Sequence, residues 1–229
     1  MELPLATRSL PDPPRTISKF LVCVVDDDAA VRDGLSLMLE SVGHEVRSFA
    51  SAADFLVALP ELSVGCLLLD MRMPGMTGAA LQQELRRRAC EAPIIFLTAH
   101  ADVPTTVRAM QDGALNFLLK PVEPAVLLEG VRAAMGQAAA RQRQQDDRQR
   151  LGERASALTI REREVMTLAV AGYSNKEIAQ RLGISFRTVE IHRARAMNKT
   201  GAANLIELAR IAEAASICCW PPPAEARDE

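Results

Sequence analysis

Short apolar runs alternate with helical patterns along the first half of the chain. Five runs have the length and composition of buried strands, namely residues 20–25, 45–49, 65–69, 93–97 and 115–118. Apolar residues recur at helical spacing in residues 29–41, 51–59, 78–88, 103–111 and 123–139. Five strand and helix pairs in this order predict a doubly wound α/β domain with a five-stranded parallel sheet.

The second half is helical in pattern from residue 159 to about residue 216. Thr159 with Glu162, and Ser174 with Glu177, have the spacing of the capping box, in which a hydroxyl and a carboxylate satisfy free amides at a helix start. The pattern therefore predicts helices over residues 160–171, 175–182 and, after the cap Ser185, 186–199. The short glycine-containing turn between the last two predicts a helix-turn-helix.

Changes in composition mark the domain boundaries. Residues 1–18 contain four prolines and no periodicity, which predicts a disordered leader before an α/β domain over residues 19–135. Residues 136–157 are rich in Gln, Arg and Ala, and predict a charged linker that builds no core and is either helical or a flexible tether. A helical domain over residues 158–217 and a proline-rich, disordered tail over residues 218–229 complete the chain.

Composition and charge favour a cytoplasmic protein of globular domains. Hydrophobic residues make up 48% and charged residues 24% of the chain, as in ordinary globular proteins. No apolar run reaches the roughly 18 residues of a membrane span, and the leader lacks the features of a signal peptide. The five cysteines have neither disulfide nor zinc spacing. The α/β domain has 10 basic and 15 acidic residues, whereas the helical domain has 9 basic and 6 acidic residues. The charge therefore weakly favours nucleic-acid binding by the helical domain alone.

Acidic residues follow two of the predicted strands. Asp26, Asp27 and Asp28 follow the first strand, and Asp70 follows the third. Ligands of doubly wound sheets bind at the carboxyl ends of the strands, where these side chains should meet. Clustered carboxylates repel one another unless a cation is present, so the pattern predicts a Mg²⁺ site. Helix capping is the alternative for any single residue, and we expect it of Asp28.

A hydroxyl and an ammonium are predicted at the same edge. Thr98 ends the fourth strand and Lys120 ends the fifth, before a proline that fixes the turn. A metal, a cation, a hydroxyl and a carboxylate together suit phosphoryl transfer to that carboxylate. This chemistry leaves open both a phosphorylated switch and a Mg²⁺-dependent phosphotransfer enzyme that turns over external substrates.

Residues 20–135 resemble the receiver domain of two-component response regulators. The resemblance rests on Asp26, Asp27, Asp70, Thr98 and Lys120-Pro121, together with the segment MRMPGMTG after Asp70. The resemblance implies a flavodoxin-like sheet and phosphorylation of Asp70. It implies Mg²⁺ bound by Asp27 and Asp70, with Asp26 acting partly through water and the Arg72 carbonyl completing the ligands.

The resemblance also assigns roles at the other strand ends. Thr98 and Lys120 would contact the phosphoryl oxygens. Phe117 matches the aromatic switch position that rearranges with Thr98. Core packing is the alternative role for this ring.

The helical half resembles the DNA-binding domain of the LuxR/FixJ type, a four-helix helix-turn-helix domain, in LTIREREV, NKEIA, LGIS and RTVEIHR. On its recognition helix Val189, His192 and Ala196 share one face, which predicts that they point inward. The other face is charged, which is also common on solvated helices. The face and the resemblance together predict DNA contacts by Lys176, Arg187, Thr188, Glu190, Ile191, His192, Arg193, Arg195 and Lys199.

Both halves together resemble a response regulator of the NarL/FixJ type. The resemblance implies a sensor histidine kinase that phosphorylates Asp70, a homodimer that forms on phosphorylation through the receiver, promoter DNA and RNA polymerase as partners, and no membrane. In this family residues 204–215 form a further dimer contact. Two alternatives remain open, the phosphotransfer enzyme and a constitutive DNA-binding regulator whose receiver is a fixed dimerisation module.

Overall fold

A computed structural model describes residues 20–99 and 103–217 of the chain. Its contacts divide the chain into two compact units, Met1–Ala140 and Arg141–Glu229. The division falls inside the predicted linker. The predicted leader and tail lie outside the described residues.

The first unit is built on one parallel sheet. Its strands are β1 Leu21–Val25, β2 Val46–Phe49, β3 Val64–Asp70, β4 Ile94–Thr98 and β5 Asn116–Leu119, in the order β2-β1-β3-β4-β5. Its helices are α1 Ala29–Ser41, α2 Ala52–Ala58, α3 Gly78–Arg87, α4 Val103–Gln111 and the beginning of α5 Pro124–Ser156, with a 3-10 turn at Leu59–Glu61. The predicted five-stranded, doubly wound fold is confirmed.

The central strands are buried on both faces, which is why they read as continuous apolar runs. Successive residues of a strand point to opposite faces. Leu67 and Phe96 accordingly pack on one face with Phe55, while Leu68 packs on the other with Leu39. Two apolar layers therefore hold the strand ends, and the residues that follow them, in fixed positions.

Through residue 217, the second unit contains four further helices, α6 Ile160–Val170, α7 Asn175–Leu182, α8 Phe186–Thr200 and α9 Leu205–Ala214. Both predicted capping boxes are present, and Ser185 caps α8 as expected. Gly183 ends α7 with a φ of 63°, a conformation that glycine adopts without strain. Within the described ranges, no helix combines the length and the apolar character needed to cross a bilayer.

The structure corrects one expectation for the segment 136–157. It is helical through Ser156, and Leu151 and Ala155 pack with Met166 and Leu208 in the core of the second unit. These two residues are one helical turn apart and share a face, but the surrounding Gln and Arg residues obscure this short pattern. The prediction that the segment adds nothing to a core is therefore wrong for its last turns.

Glu162 links the start of α6 to the end of α8. Its carboxylate accepts hydrogen bonds from the Thr159 N–H at 2.9 Å and from the Lys199 ammonium at 2.8 Å, and its side chain is only 3% exposed. The hydrogen bond from Lys199, followed by those from Thr159, lowers the pKa of Glu162 to about 2.

We expect Glu162→Gln to lower the free energy of unfolding of the helical unit by about 1–3 kcal/mol at neutral pH, because the amide leaves the Lys199 charge unbalanced. The folded pKa lies below the unfolded value of about 4.3. The stabilisation is therefore complete above about pH 5 and is lost as the pH falls towards the folded value. Denaturant unfolding followed by circular dichroism across this range should show a weaker pH dependence in the variant.

The matched control is Glu213→Gln, on the exposed face of α9. It should leave both the stability and its pH dependence close to those of the wild type. Equal pH dependence in the wild type and Glu162→Gln would contradict this role for the Glu162 carboxylate.

Candidate functional site

Three carboxylates meet at the carboxyl edge of the sheet, as predicted. Asp26 and Asp27 follow β1, and Asp70 is the last residue of the neighbouring strand β3. One carboxylate oxygen from each lies within 4.8 Å of the others. Asp26 and Asp70 are buried and Asp27 is exposed, so this acidic pocket is open on one side.

Lys120 points into the acidic pocket. Its ammonium donates a hydrogen bond to Asp26 Oδ2 at 2.5 Å and lies 3.3 Å from Asp70 Oδ1. The other oxygen of Asp26 accepts the N–H of Asp28 at 3.0 Å, and Asp28 caps α1 as predicted. The fully buried Asp26 is thus held on both oxygens, and the predicted meeting of ammonium and carboxylates is confirmed.

Burial and charge set the protonation of the pocket. Burial raises the pKa of Asp70 and the charge of Asp26 adds to this, whereas the Lys120 ammonium and the Arg72 N–H oppose it. Burial would lower the pKa of Lys120, but its hydrogen bond to Asp26 and the charges of both carboxylates outweigh burial and raise it. Three carboxylates face one ammonium, so the pocket has oxygen ligands and an excess of negative charge that suit a hard divalent cation.

The remaining predicted receiver residues lie on β4, on β5 and just after β3. Thr98 is the buried last residue of β4 and pairs in register with Leu119 of β5. The half-buried Phe117 ring lies 6.3 Å from that of Phe96, so it also serves the core. Arg72 has an exposed side chain, and its backbone N–H bonds to the Asp70 carboxylate.

Sequence reasoning missed two residues beside the pocket. The Arg32 guanidinium, on α1, donates a hydrogen bond to the Asp26 carbonyl at 2.7 Å. Gly78 begins α3 where a Cβ atom would collide with the carbonyl oxygen of Asp70 and press on Met71. Gly78, in the segment after Asp70, was a visible signal of this close approach, whereas the direction of the Arg32 side chain had no such signal.

The recognition helix α8 presents the predicted inward face. Val189 and Ala196 are fully buried and His192 is half-buried. The buried Nδ1 of His192 has no hydrogen-bond partner among the described residues. This atom faces the interior, so only the exposed part of the ring is available to a ligand.

The outward residues of the domain differ in how they are held. Arg187 pairs with Glu190 at 3.2 Å, and Arg193 donates to Asn175 of α7 at 2.9 Å. The Thr188 hydroxyl lies 2.8 Å from that of the cap Ser185. The side chains of Lys176, Ile191 and Arg195 are exposed, and so is that of Arg187 despite its pair with Glu190.

Lys199, which is predicted as a DNA contact, forms an ion pair within the domain. Its ammonium is held by the buried Glu162 carboxylate, so the side chain is used within the domain. Because the end of α8 lies against the start of α6, the Lys199 ammonium contacts the Glu162 carboxylate.

Family comparisons cover both units. Residues 22–132 match the response regulator receiver domain, and residues 156–212 match the bacterial regulatory proteins of the luxR family. The transcriptional regulatory protein FixJ of Azorhizobium caulinodans is 46% identical over 196 residues, which cover 86% of this chain and 93% of the relative. The C4-dicarboxylate transport transcriptional regulatory protein DctR of Rhodobacter capsulatus is 41% identical over 194 residues, 84% of this chain and 98% of the relative.

The chain belongs to the FixJ-type response regulators. Among solved structures, full-length FixJ from B. japonicum is 42% identical with a TM-score of 0.53, over 87% of this chain and 98% of that one. The response regulator StyR is also 42% identical, with a TM-score of 0.71, over 84% and 98%. The protein is therefore a two-component, DNA-binding transcriptional regulator and not a turnover enzyme.

The close approach of Gly78 to Asp70 gives a test of the pocket. We expect Gly78→Ala to lower the free energy of unfolding of the receiver by about 1–3 kcal/mol, because the added methyl group has no room beside the Asp70 backbone. It should also slow phosphoryl incorporation from a small phosphodonor, because Asp70 must shift. Urea unfolding and mass spectrometry of the intact chain measure the two effects.

Gly34→Ala is the matched control, since nothing lies within 4 Å of the position that its added methyl group would take on α1. It should stabilise the receiver by up to about 1 kcal/mol through helix propensity and leave incorporation unchanged. Equal behaviour of the two alanine variants would refute the proposed close packing.

Proposed function

We propose that this regulator is switched by phosphoryl transfer from a sensor histidine kinase to Asp70. The arrangement of Asp70 between Asp26, Asp27 and Lys120 carries the proposal, because it places one carboxylate beside a cation site and an ammonium. The phosphohistidine N–P bond breaks as a new O–P bond forms at an Asp70 oxygen. The histidine nitrogen takes up the electron pair of the broken bond.

The residues of the pocket divide the work of this transfer. Mg²⁺ would be held by Asp27, Asp70 and the Arg72 carbonyl, with Asp26 acting partly through water, and would supply charge that offsets the phosphoryl oxygens. The Lys120 ammonium contacts a phosphoryl oxygen, as does the Thr98 hydroxyl. Asp26 holds Lys120 in place through their hydrogen bond.

Phosphorylation then shifts the receiver between two arrangements. The added charge favours the arrangement in which Thr98 and Phe117 have moved towards the phosphoryl group. That arrangement promotes a homodimer through the receiver. Two DNA-binding units then engage paired half-sites in promoter DNA and act with RNA polymerase in the cytoplasm.

The DNA contacts that we propose come from α8 and the start of α7. Residues near the amino end of α8 read base edges, and the basic residues contact phosphates. The set consists of Lys176, Arg187, Thr188, Glu190, Ile191, His192, Arg193 and Arg195. Lys199 is left out because Glu162 holds it.

The constitutive regulator is the alternative function that an experiment must separate. It predicts equal DNA affinity with and without phosphorylation. The stoichiometry of incorporation should be one phosphoryl group per chain, as expected of a switch.

We expect a small phosphodonor with Mg²⁺ to add one phosphoryl group to the wild type and to tighten its binding to a duplex selected from random-sequence DNA. Asp70→Ala should abolish both effects, because it removes the accepting oxygen. Omission of Mg²⁺ should also prevent incorporation. Intact-chain mass spectrometry and fluorescence anisotropy at fixed salt measure the two quantities.

Asp33→Ala, an exposed position on α1, is the matched control and should behave like the wild type. Unchanged affinity of the phosphorylated wild type would show that the receiver does not switch DNA binding.

The exposed Arg195 gives a separate test of the DNA surface. We expect Arg195→Ala to weaken binding to different sequences by similar factors and to reduce the slope of log affinity against log salt by about one, because one phosphate contact is lost. Anisotropy titrations at several salt concentrations provide the slope. Arg161→Ala on α6, which pairs with Glu164, is the control, and a slope change there of equal size would argue against a specific role for Arg195.

A further inference from the structure

Arg154 joins two helices of the DNA-binding unit from outside its four-helix core. It lies near the end of α5, in the segment predicted to be a linker. Its Nε donates to the Thr200 carbonyl at 2.5 Å, and its Nη2 donates to Glu207 Oε1 at 2.8 Å. Thr200 ends the recognition helix α8 and Glu207 lies in the first turn of α9. One side chain therefore holds both sides of the turn between these helices.

At the carboxyl end of α8 the N–H groups of Gly201 and Ala202 bond to the Asn198 and Met197 carbonyls, and Arg154 supplies the donor for the Thr200 carbonyl. The last carbonyls of a helix lack partners within the helix and favour a nearby cation. The Thr200 hydroxyl cannot help, because it bonds back to the Ala196 carbonyl at 2.6 Å. Gly201 ends the helix with a φ of 64°, and its Cβ position would lie 3.6 Å from Arg154 Nη2. The guanidinium thus fits closely against this helix end.

The other partner of Arg154 is also fixed. Glu207 Oε2 accepts the N–H of Ala203 at 3.0 Å, and the Asn204 side chain caps the N–H of Glu207 at 2.9 Å. The hydrogen bonds to Glu207 from Ala203 and from Arg154 lower its pKa, so it is charged at neutral pH. The start of α9 is consequently tied to the end of α8 through one charged pair.

The backbone beside Arg154 is held by packing. Ala155 is 1% exposed, and Leu151 packs against the same cluster one turn earlier. The last turn of α5 therefore determines where the Arg154 guanidinium lies. A change in that turn would alter the support of α8 and α9 together.

We propose that Arg154 is a positioning residue for DNA binding. It transmits the conformation of the last turn of α5 to the recognition helix, and it governs DNA affinity without touching DNA. The inference rests on the proposed DNA contacts of α8 but not on the phosphorylation of Asp70.

The test uses the full chain and the duplex selected from random-sequence DNA, at several salt concentrations, without phosphodonor. Arg154→Met should weaken affinity about tenfold or more, because two charge-assisted hydrogen bonds are lost. The salt slope should stay unchanged, because no phosphate contact is removed. Arg154→Lys should restore part of the affinity, since an ammonium can replace one bond of the planar fork but not both.

Arg150→Met is the matched control, because Arg150 lies one turn earlier on α5 and its side chain is 76% exposed. It should bind DNA within about twofold of the wild type, as expected of an exposed residue. A second control, Ile211→Val in the α9 core, matches the expected loss of stability without touching the Arg154 contacts.

Three results would overturn the inference. Wild-type affinity of Arg154→Met would show that the helix end needs no such support. A salt slope reduced by about one would make Arg154 a direct phosphate contact. If Ile211→Val is as destabilised as Arg154→Met and loses as much DNA affinity, Arg154 contributes only to the general stability of the unit. Failure of the phosphorylation switch is visible separately in Asp70→Ala and leaves this result intact.

Discussion

The meeting of three carboxylates with one ammonium is the constraint around which the receiver is organised. Asp26, Asp27 and Asp70 repel one another, and Lys120 offsets only part of their charge. The strand order places β1 beside β3, and the two apolar layers prevent these ends from moving apart. The remaining negative charge therefore stays concentrated at one edge, where its oxygen atoms suit a hard divalent cation.

Charged pairs serve a different purpose in the DNA-binding unit. Glu162 with Lys199, and Arg154 with Glu207, connect helices that are distant in the sequence. Both pairs act at the carboxyl end of α8, where backbone carbonyls favour cations. The exposed Arg195, in contrast, has its charge available to a ligand. Charge thus anchors one end of the recognition helix and leaves its outer face free to bind.

Periodicity and caps predicted the helices and strands to within a few residues, apart from the extension of α5, because local interactions set those limits. Asp70, Thr98 and Lys120 were predictable because parallel strands bring their carboxyl ends to one edge. The direction in which a long side chain points was not predictable. Lys199 and Arg154 have many rotamers. Lys199 contacts Glu162, 37 residues away, and Arg154 contacts Thr200, 46 residues away, and only the tertiary fold brings these partners near. Leu151 and Ala155 were missed because two apolar positions are too few to show periodicity.

A ligand can shift a conformational equilibrium only through contacts that differ between the two states. In the receiver, Thr98 is a buried polar residue and Phe117 packs against the core, and these are the two positions at which we propose that contacts change. In the DNA-binding unit, the end of α8 is supported by its own Lys199 and Gly201 and also by Arg154 of a neighbouring helix. The helix α5 contributes Leu127 to one core and Ala155 to the other. Arg154 thus ties the position of the recognition helix to the last turn of α5 through its bonds to Thr200 and Glu207.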